Sequence, residues 1–183
     1  NRPLFDRVQA FADSGECQAL PVPRQKAVAN MLRDFTLSGV ALDGENARRF
    51  AAIQQRLSEL STGFSNNVLD ATDGWEKIID DANDLAGVPA TPIMQYADNR
   101  ELREGMYSAY VTRASAVGPQ GGKWDNGPLM VEISQLRQEM AQLLGFAHYS
   151  DYSLASKMAE SSQQVIAFLE ELAAASKPVA EQD

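Results

Sequence analysis

A chain of 183 residues, 44% of them apolar, has enough material to bury the core of one domain. Acidic residues outnumber basic ones 25 to 16, and the net charge of −9 excludes long-range attraction to nucleic acid or an anionic membrane. The apolar runs are too short for a membrane span, and the single Cys17 excludes an internal disulfide or a cysteine zinc cluster, which suits a reducing, cytoplasmic setting.

The periodicity is helical nearly throughout and predicts an all-α, multi-helix bundle. Helices are expected near 2–14, 22–37, 44–72, 99–116, 128–144, 150–159 and 162–177, forming a single helical domain or fragment. In the first, Leu4, Val8, Phe11 and Ala12 share a face, and Gly15 is expected to end it. Pro21 and Pro23 open the second, where Ala27, Val28, Met31, Leu32 and Phe35 make a stripe that "SGV" at 38–40 stops. After a cap at Asp43, Phe50, Ile53, Leu57, Leu60, Phe64 and Leu69 approach a heptad seam, which needs partner helices to cover it.

From 73 to 98 the pattern breaks into Gly, Pro and acidic residues and reads as irregular connection. Asp98 or Asn99 caps the next helix, in which Leu102, Met106, Tyr110 and Val111 are apolar at near-helical spacing. Four glycines and two prolines make 117–128 a loop. Met130, Ile133, Leu136, Met140, Leu143 and Leu144 then line a helix closed by Gly145. A capping box from Ser161 to Gln164 starts the last, with Val165, Phe168, Leu169 and Leu172 inward.

Candidate chemistry is sparse. A hydrolytic zinc site needs two or three converging ligands, and His148 is the only histidine, so it reads as a structural residue beside the helix-ending Gly145. Asp80, Asp81 and Asp84 lack the alternating oxygens, central glycine and distal glutamate of a calcium loop and read as a solvated acidic stretch. Cys17 has no activating base nearby in sequence. "GPQGGKWDNGP" fails as a phosphate loop, because Lys123 is followed by Trp124 and a helix precedes it. Arg100, Arg103, Arg113, Lys123 and Arg137 form no basic run and are mostly spaced to pair with Glu101, Glu104 or Glu139 on helix surfaces.

Five stretches, "AVANMLRDFTLSGVAL", "RLSELSTGFSNNVLDAT", "NRELREGMYSAYVTRAS", "GKWDNGPLM" and "LRQEMAQLLGFAHYSDYSLASKMAES", resemble in order the amino-terminal helical half of the thimet oligopeptidase-like family of zinc metallopeptidases. The resemblance implies the amino-terminal helical lobe of the neurolysin-like fold, whose two lobes flank a channel that admits short peptides. It implies oligopeptide substrates, zinc in the full-length parent but none here, and a carboxy-terminal catalytic domain as the partner in the same chain. The family's His-Glu-x-x-His, later glutamate, and assisting histidine and tyrosines have no counterpart in this sequence, so no catalytic or metal residue is carried over. These 183 residues alone are therefore expected to be inactive, and the sequence stops within what reads as continuing helix. Relatives carry a longer segment between "LAG" and "YADN", so residues are expected to be missing near 88–93 and Pro89-Ala90-Thr91 is given no local reading. Tyr107, Tyr110 and Trp124, on the 99–115 helix and the 117–128 loop, are the candidates for peptide contact. The competing expectation is a stand-alone helical adaptor whose partner-binding face is the seam of the 43–71 helix.

Overall fold

The computed structural model describes residues 1–79, 94 and 97–181, and among them every regular element is a helix. In chain order these are α1 (Arg2–Ala12), α2 (Gly15–Gln18), α3 (Val22–Leu37), α4 (Gly44–Asp73), α5 (Arg100–Thr112), α6 (Gly127–Leu143), α7 (Tyr149–Leu154) and α8 (Ser162–Ala180). The all-α expectation therefore holds. Contacts gather the chain into two units, Asn1–Gln54 with Gln135–Asp183, and Gln55–Ser134.

In the first unit α1 packs on α3, with the rings of Phe5 and Phe35 edge-to-face at 6.0 Å. The inward face of α1 is Phe5, Val8 and Ala12, whereas Leu4 and Phe11 face solvent, so the expected stripe is offset by one position at its start. Gly15 does not end α1. The helix closes at Asp13, and Ser14, whose Oγ accepts the Cys17 amide at 3.3 Å, caps the four-residue α2 that Gly15 opens. Cys17 is buried within α2.

Two Schellman endings fix turns in this unit. After α3 the Val40 amide donates to the Phe35 carbonyl and the Gly39 amide to that of Thr36. After α6 the Phe146 and Gly145 amides do the same toward Ala141 and Gln142. Both glycines have positive φ, +76° and +84°. Gly39 has a second constraint, since a Cβ there would lie 2.6 Å from the Phe50 ring. Asp43 stands at the expected cap position before α4, its carbonyl accepting the Ala47 amide, and Arg2 engages its carboxylate at 2.8 Å and the Ala41 carbonyl at 3.2 Å. Arg49 and Glu139 form a two-pronged pair at 2.5 and 2.6 Å, tying α4 to α6. α7 stops at Leu154 rather than reaching 159: beyond the cap residue Ala155, the Lys157 amide donates to the Leu154 carbonyl three residues back, in place of the four-residue helical bond. Tyr152 packs against Phe146 and Tyr149, and burial, with a smaller contribution from Tyr149, raises its phenol above the ordinary range.

In the second unit α4 and α6 run antiparallel: Arg56 pairs with Glu132, Gly63 meets Leu129, and Asn67 meets Asn126, rising along one helix while falling along the other. Inward positions of α4 in this unit follow a regular alternation of three and four residues: Leu57, Leu60, Phe64, Asn67 and Ala71. Leu69, assigned to the seam from sequence, is 57% exposed. Asn67 and Ala71 continue the register in its place.

Candidate peptide-contact site

The second unit carries the three aromatic candidates, and its geometry begins with Asn126, a polar residue only 3% exposed. Its Nδ2 donates to the Phe64 carbonyl at 3.1 Å, its Oδ1 accepts Asn67 Nδ2 at 2.8 Å, and its amide donates to the Ala114 carbonyl at 2.9 Å. Each polar group thus has a partner, which a buried amide side chain requires. Ala114 takes φ +51°, and this left-handed turn ends α5 at Thr112 rather than at the expected 116. Asn99, one of the two caps expected for α5, accepts the Leu102 amide at 3.1 Å.

Successive turns then fill 115–126. Amides of Gly118, Gly121, Lys123 and Asp125 each donate to a carbonyl three residues back. Gln120 Nε2 ties the loop to the Ala71 carbonyl at 3.0 Å. Trp124 lies across Gly74, where a Cβ would stand 2.7 Å from its ring, and Lys123 Nζ sits 4.3 Å from the ring centroid. The indole is half-buried, held between a glycine and a lysine. The signal for this in the sequence is Gly74, whose missing side chain makes the seat.

Tyr110 and Tyr107 remain 55% and 60% exposed on α5. Tyr110 borders an open, mainly apolar groove of about 440 Å³, lined also by Ala71, Thr72, Trp75, Met94, Met106, Ala109 and Arg113. The Arg113 guanidinium stacks 4.3 Å from the Tyr110 centroid and gives the groove a cationic rim. Tyr107 borders a smaller hollow of about 280 Å³ with Met94, Arg100, Arg103 and Glu104. The structure brings Tyr110 to the groove and Tyr107 to the hollow, and Trp124 lines neither. Trp75, Met94 and Met106 carry no groove signal in the sequence, since the first two lie beside or within the irregular 73–98 stretch and Met106 falls in the apolar stripe of α5.

The cations are placed otherwise than the helix-surface pairing suggested. Arg113, Lys123 and Arg137 stack on Tyr110, Trp124 and Tyr149, Arg103 donates to the carbonyls of Ala97 and Asp98, and Glu139 is taken by Arg49. In the second unit Arg56 grips Glu132 with Nε at 2.7 Å and Nη2 at 3.0 Å, and adds Glu59 at 3.3 Å. The hydrogen bonds from Arg56 and Arg49, and secondarily their charges, hold Glu132 and Glu139 below the ordinary carboxylate range, against some desolvation.

His148 caps α7 through its backbone. Its carbonyl accepts the Asp151 and Tyr152 amides while its ring is exposed, so it acts by conformation rather than by packing its ring. Among the described residues no three His, Cys, Asp or Glu side chains converge as metal donors. Asp80, Asp81, Asp84 and the 88–93 stretch lie outside the described residues. No helix among the described residues is long and apolar enough to cross a membrane.

Residues 93–183 match the model of Peptidase family M3. The whole chain is similar to Oligopeptidase A of Haemophilus influenzae, 45% identical over 98% of this chain and 30% of that protein. Oligopeptidase A of Escherichia coli is 44% identical over the same shares. Organellar oligopeptidase A, chloroplastic/mitochondrial, of Arabidopsis thaliana is 34% identical over 100% of this chain and 27% of its own length. The chain thus spans about 30% of the length of these relatives, and the Haemophilus alignment covers 207 residues against a chain of 183. With an all-helical architecture and matches that run the length of the sequence, the chain belongs to Peptidase family M3, in which it corresponds to the amino-terminal region of oligopeptidase A.

Proposed function

We propose that the chain forms the amino-terminal, non-catalytic region of a zinc-dependent, cytoplasmic oligopeptidase that hydrolyses short peptides, with its helices making one wall of the substrate channel. The observation that carries this reading is similarity along 98% of the chain to the amino-terminal 30% of a protein named Oligopeptidase A. The donor set here does not fit a catalytic zinc: His148 is the only imidazole, exposed at the start of α7, and Cys17 is buried in α2. Zinc and its ligands are therefore assigned to the carboxy-terminal part of the parent, and no chemical step is routed through these residues. An alignment longer than the chain supports the reading that residues are missing near 88–93.

The role left to this region is access and positioning. A packed helical wall keeps folded proteins from a recessed metal, and the Tyr110 groove offers an extended peptide apolar contact with a cation at its edge. Adaptable Met94 and Met106 and an open shape suit varied side chains rather than one. Reading the gene beyond the codon for Asp183 tests the assignment. A downstream His-Glu-x-x-His together with chelator-sensitive peptide cleavage by the product supports it, whereas a stop codon there supports the stand-alone adaptor.

A further inference from the structure

Of the six longer helices, α8 has the most apolar sequence, yet none of its residues is buried. Val165, Phe168, Leu169, Leu172 and Val179 recur at helical spacing along one side, and Glu170, Glu171 and Lys177 occupy the other. Phe168, Leu169, Leu172 and Val179 are 62, 53, 51 and 63% exposed. The helix is held at its start, where Ser161 caps it and the Ser162 hydroxyl meets Ser150 Oγ and Asp151 Oδ1 at 3.1 Å each. A continuous apolar stripe of this length left in water marks an interface.

We propose that this stripe is the docking surface for the polypeptide that follows residue 183 in the intact parent. The inference rests on the reading of this chain as the amino-terminal region of a longer peptidase. The family match runs through α8 to residue 183, and the chain spans only about 30% of its relatives' length, so the relatives have further chain available to cover the stripe. Net charge opposes a second copy, because each copy carries −9. The occupant is an apolar ridge that covers Phe168, Leu169, Leu172 and Val179. α8 is thus the joint between this region and the catalytic part.

The test uses the intact parent carrying either Leu172→Cys, on the stripe, or Glu170→Cys, on the opposite side, with alkylation followed by mass spectrometry of the α8 peptide. Leu172→Cys is expected to react at least about tenfold more slowly than Glu170→Cys, as for a site that opens only transiently. Equal rates overturn the inference. So does protection of Leu172→Cys in the 183-residue chain that rises with concentration, which would assign the stripe to a second copy. Hydrogen exchange of α8 in the unsubstituted parent gives the same answer without a mutation: fast exchange along the helix rejects docking. Peptide turnover by the same preparation separates the two claims. Protection without turnover rejects the peptidase reading alone, and turnover without protection rejects the docking alone.

Discussion

The Nδ2 of Asn67 donates to the Oδ1 of Asn126 at 2.8 Å, joining the inward face of α4 to the residue that precedes α6 fifty-nine positions later. Asn126 is buried and also donates to the Phe64 carbonyl, so one side chain satisfies groups on both elements. Asn126→Ala strands the Asn67 donor and the second bond to Phe64, and is expected to cost about 2 kcal/mol in urea unfolding. Asn67→Ala is expected to cost less, and a double-mutant cycle should return about 1 kcal/mol of coupling between them. Additive single effects would show that the amide pair is not an energetic unit.

Gly39 and Gly145 separate two causes of glycine dependence. Both sit at φ near +80°, but only at Gly39 does an added Cβ meet a ring, that of Phe50, while at Gly145 nothing lies within 4 Å. Gly145→Ala is expected to cost about 1–2 kcal/mol from backbone conformation alone. Gly39→Ala carries the same strain plus displacement of the buried Phe50, so it should be the more destabilising by thermal melt. Equal costs would mean that the Phe50 ring yields freely.

Glu132 and Glu139, held below the ordinary carboxylate range by Arg56 and Arg49, give stability a definite pH sign. A lowered folded-state value means that the unfolded chain takes up the proton first. The contribution is therefore complete above the ordinary glutamate value of about 4.3 and is lost as pH falls through the lower folded-state value. Tm measured from pH 6 to 3 should fall less steeply in Arg49→Gln/Arg56→Gln than in the parent sequence. All four side chains are 40–48% exposed, so the pairs add little at neutral pH and the difference should shrink at high salt.

The three aromatic candidates should separate by readout. In the intact enzyme, Tyr110→Ala and Tyr107→Ala are expected to raise peptide KM or shift the product pattern while leaving stability nearly unchanged, since both rings are mostly exposed. Trp124→Ala empties the seat over Gly74 and is expected to lower Tm first. Unaltered KM and products for both tyrosine variants would remove the groove from the substrate path.

Helix identities and caps were legible because they depend on neighbours in sequence: Asn99 before α5, Ser161 and Gln164 at α8, and Gly39 and Gly145 at the turns. The α4 seam was legible up to Phe64 and then misassigned, since an apolar pattern selects Leu69 when the helix itself turns Asn67 inward to meet Asn126. Trp124 in a glycine-rich loop looked available for a ligand, because its seat, Gly74, lies fifty positions away. The basic residues were assigned to carboxylates by spacing, whereas Arg113, Lys123 and Arg137 meet aromatic faces, one of them only through tertiary contact. The groove at Tyr110 could not be read from sequence, as it takes shape only where α4, Trp75, Met94 and α5 meet.

Peptide hydrolysis, assayed with and without a chelator on the intact parent and on the 183-residue chain side by side, decides whether catalysis lies outside these helices. Chelator-sensitive cleavage of short peptides is expected from the parent and none from the chain alone. Turnover by the isolated chain with stoichiometric bound zinc, or a full-length product that cleaves no peptide, would contradict it.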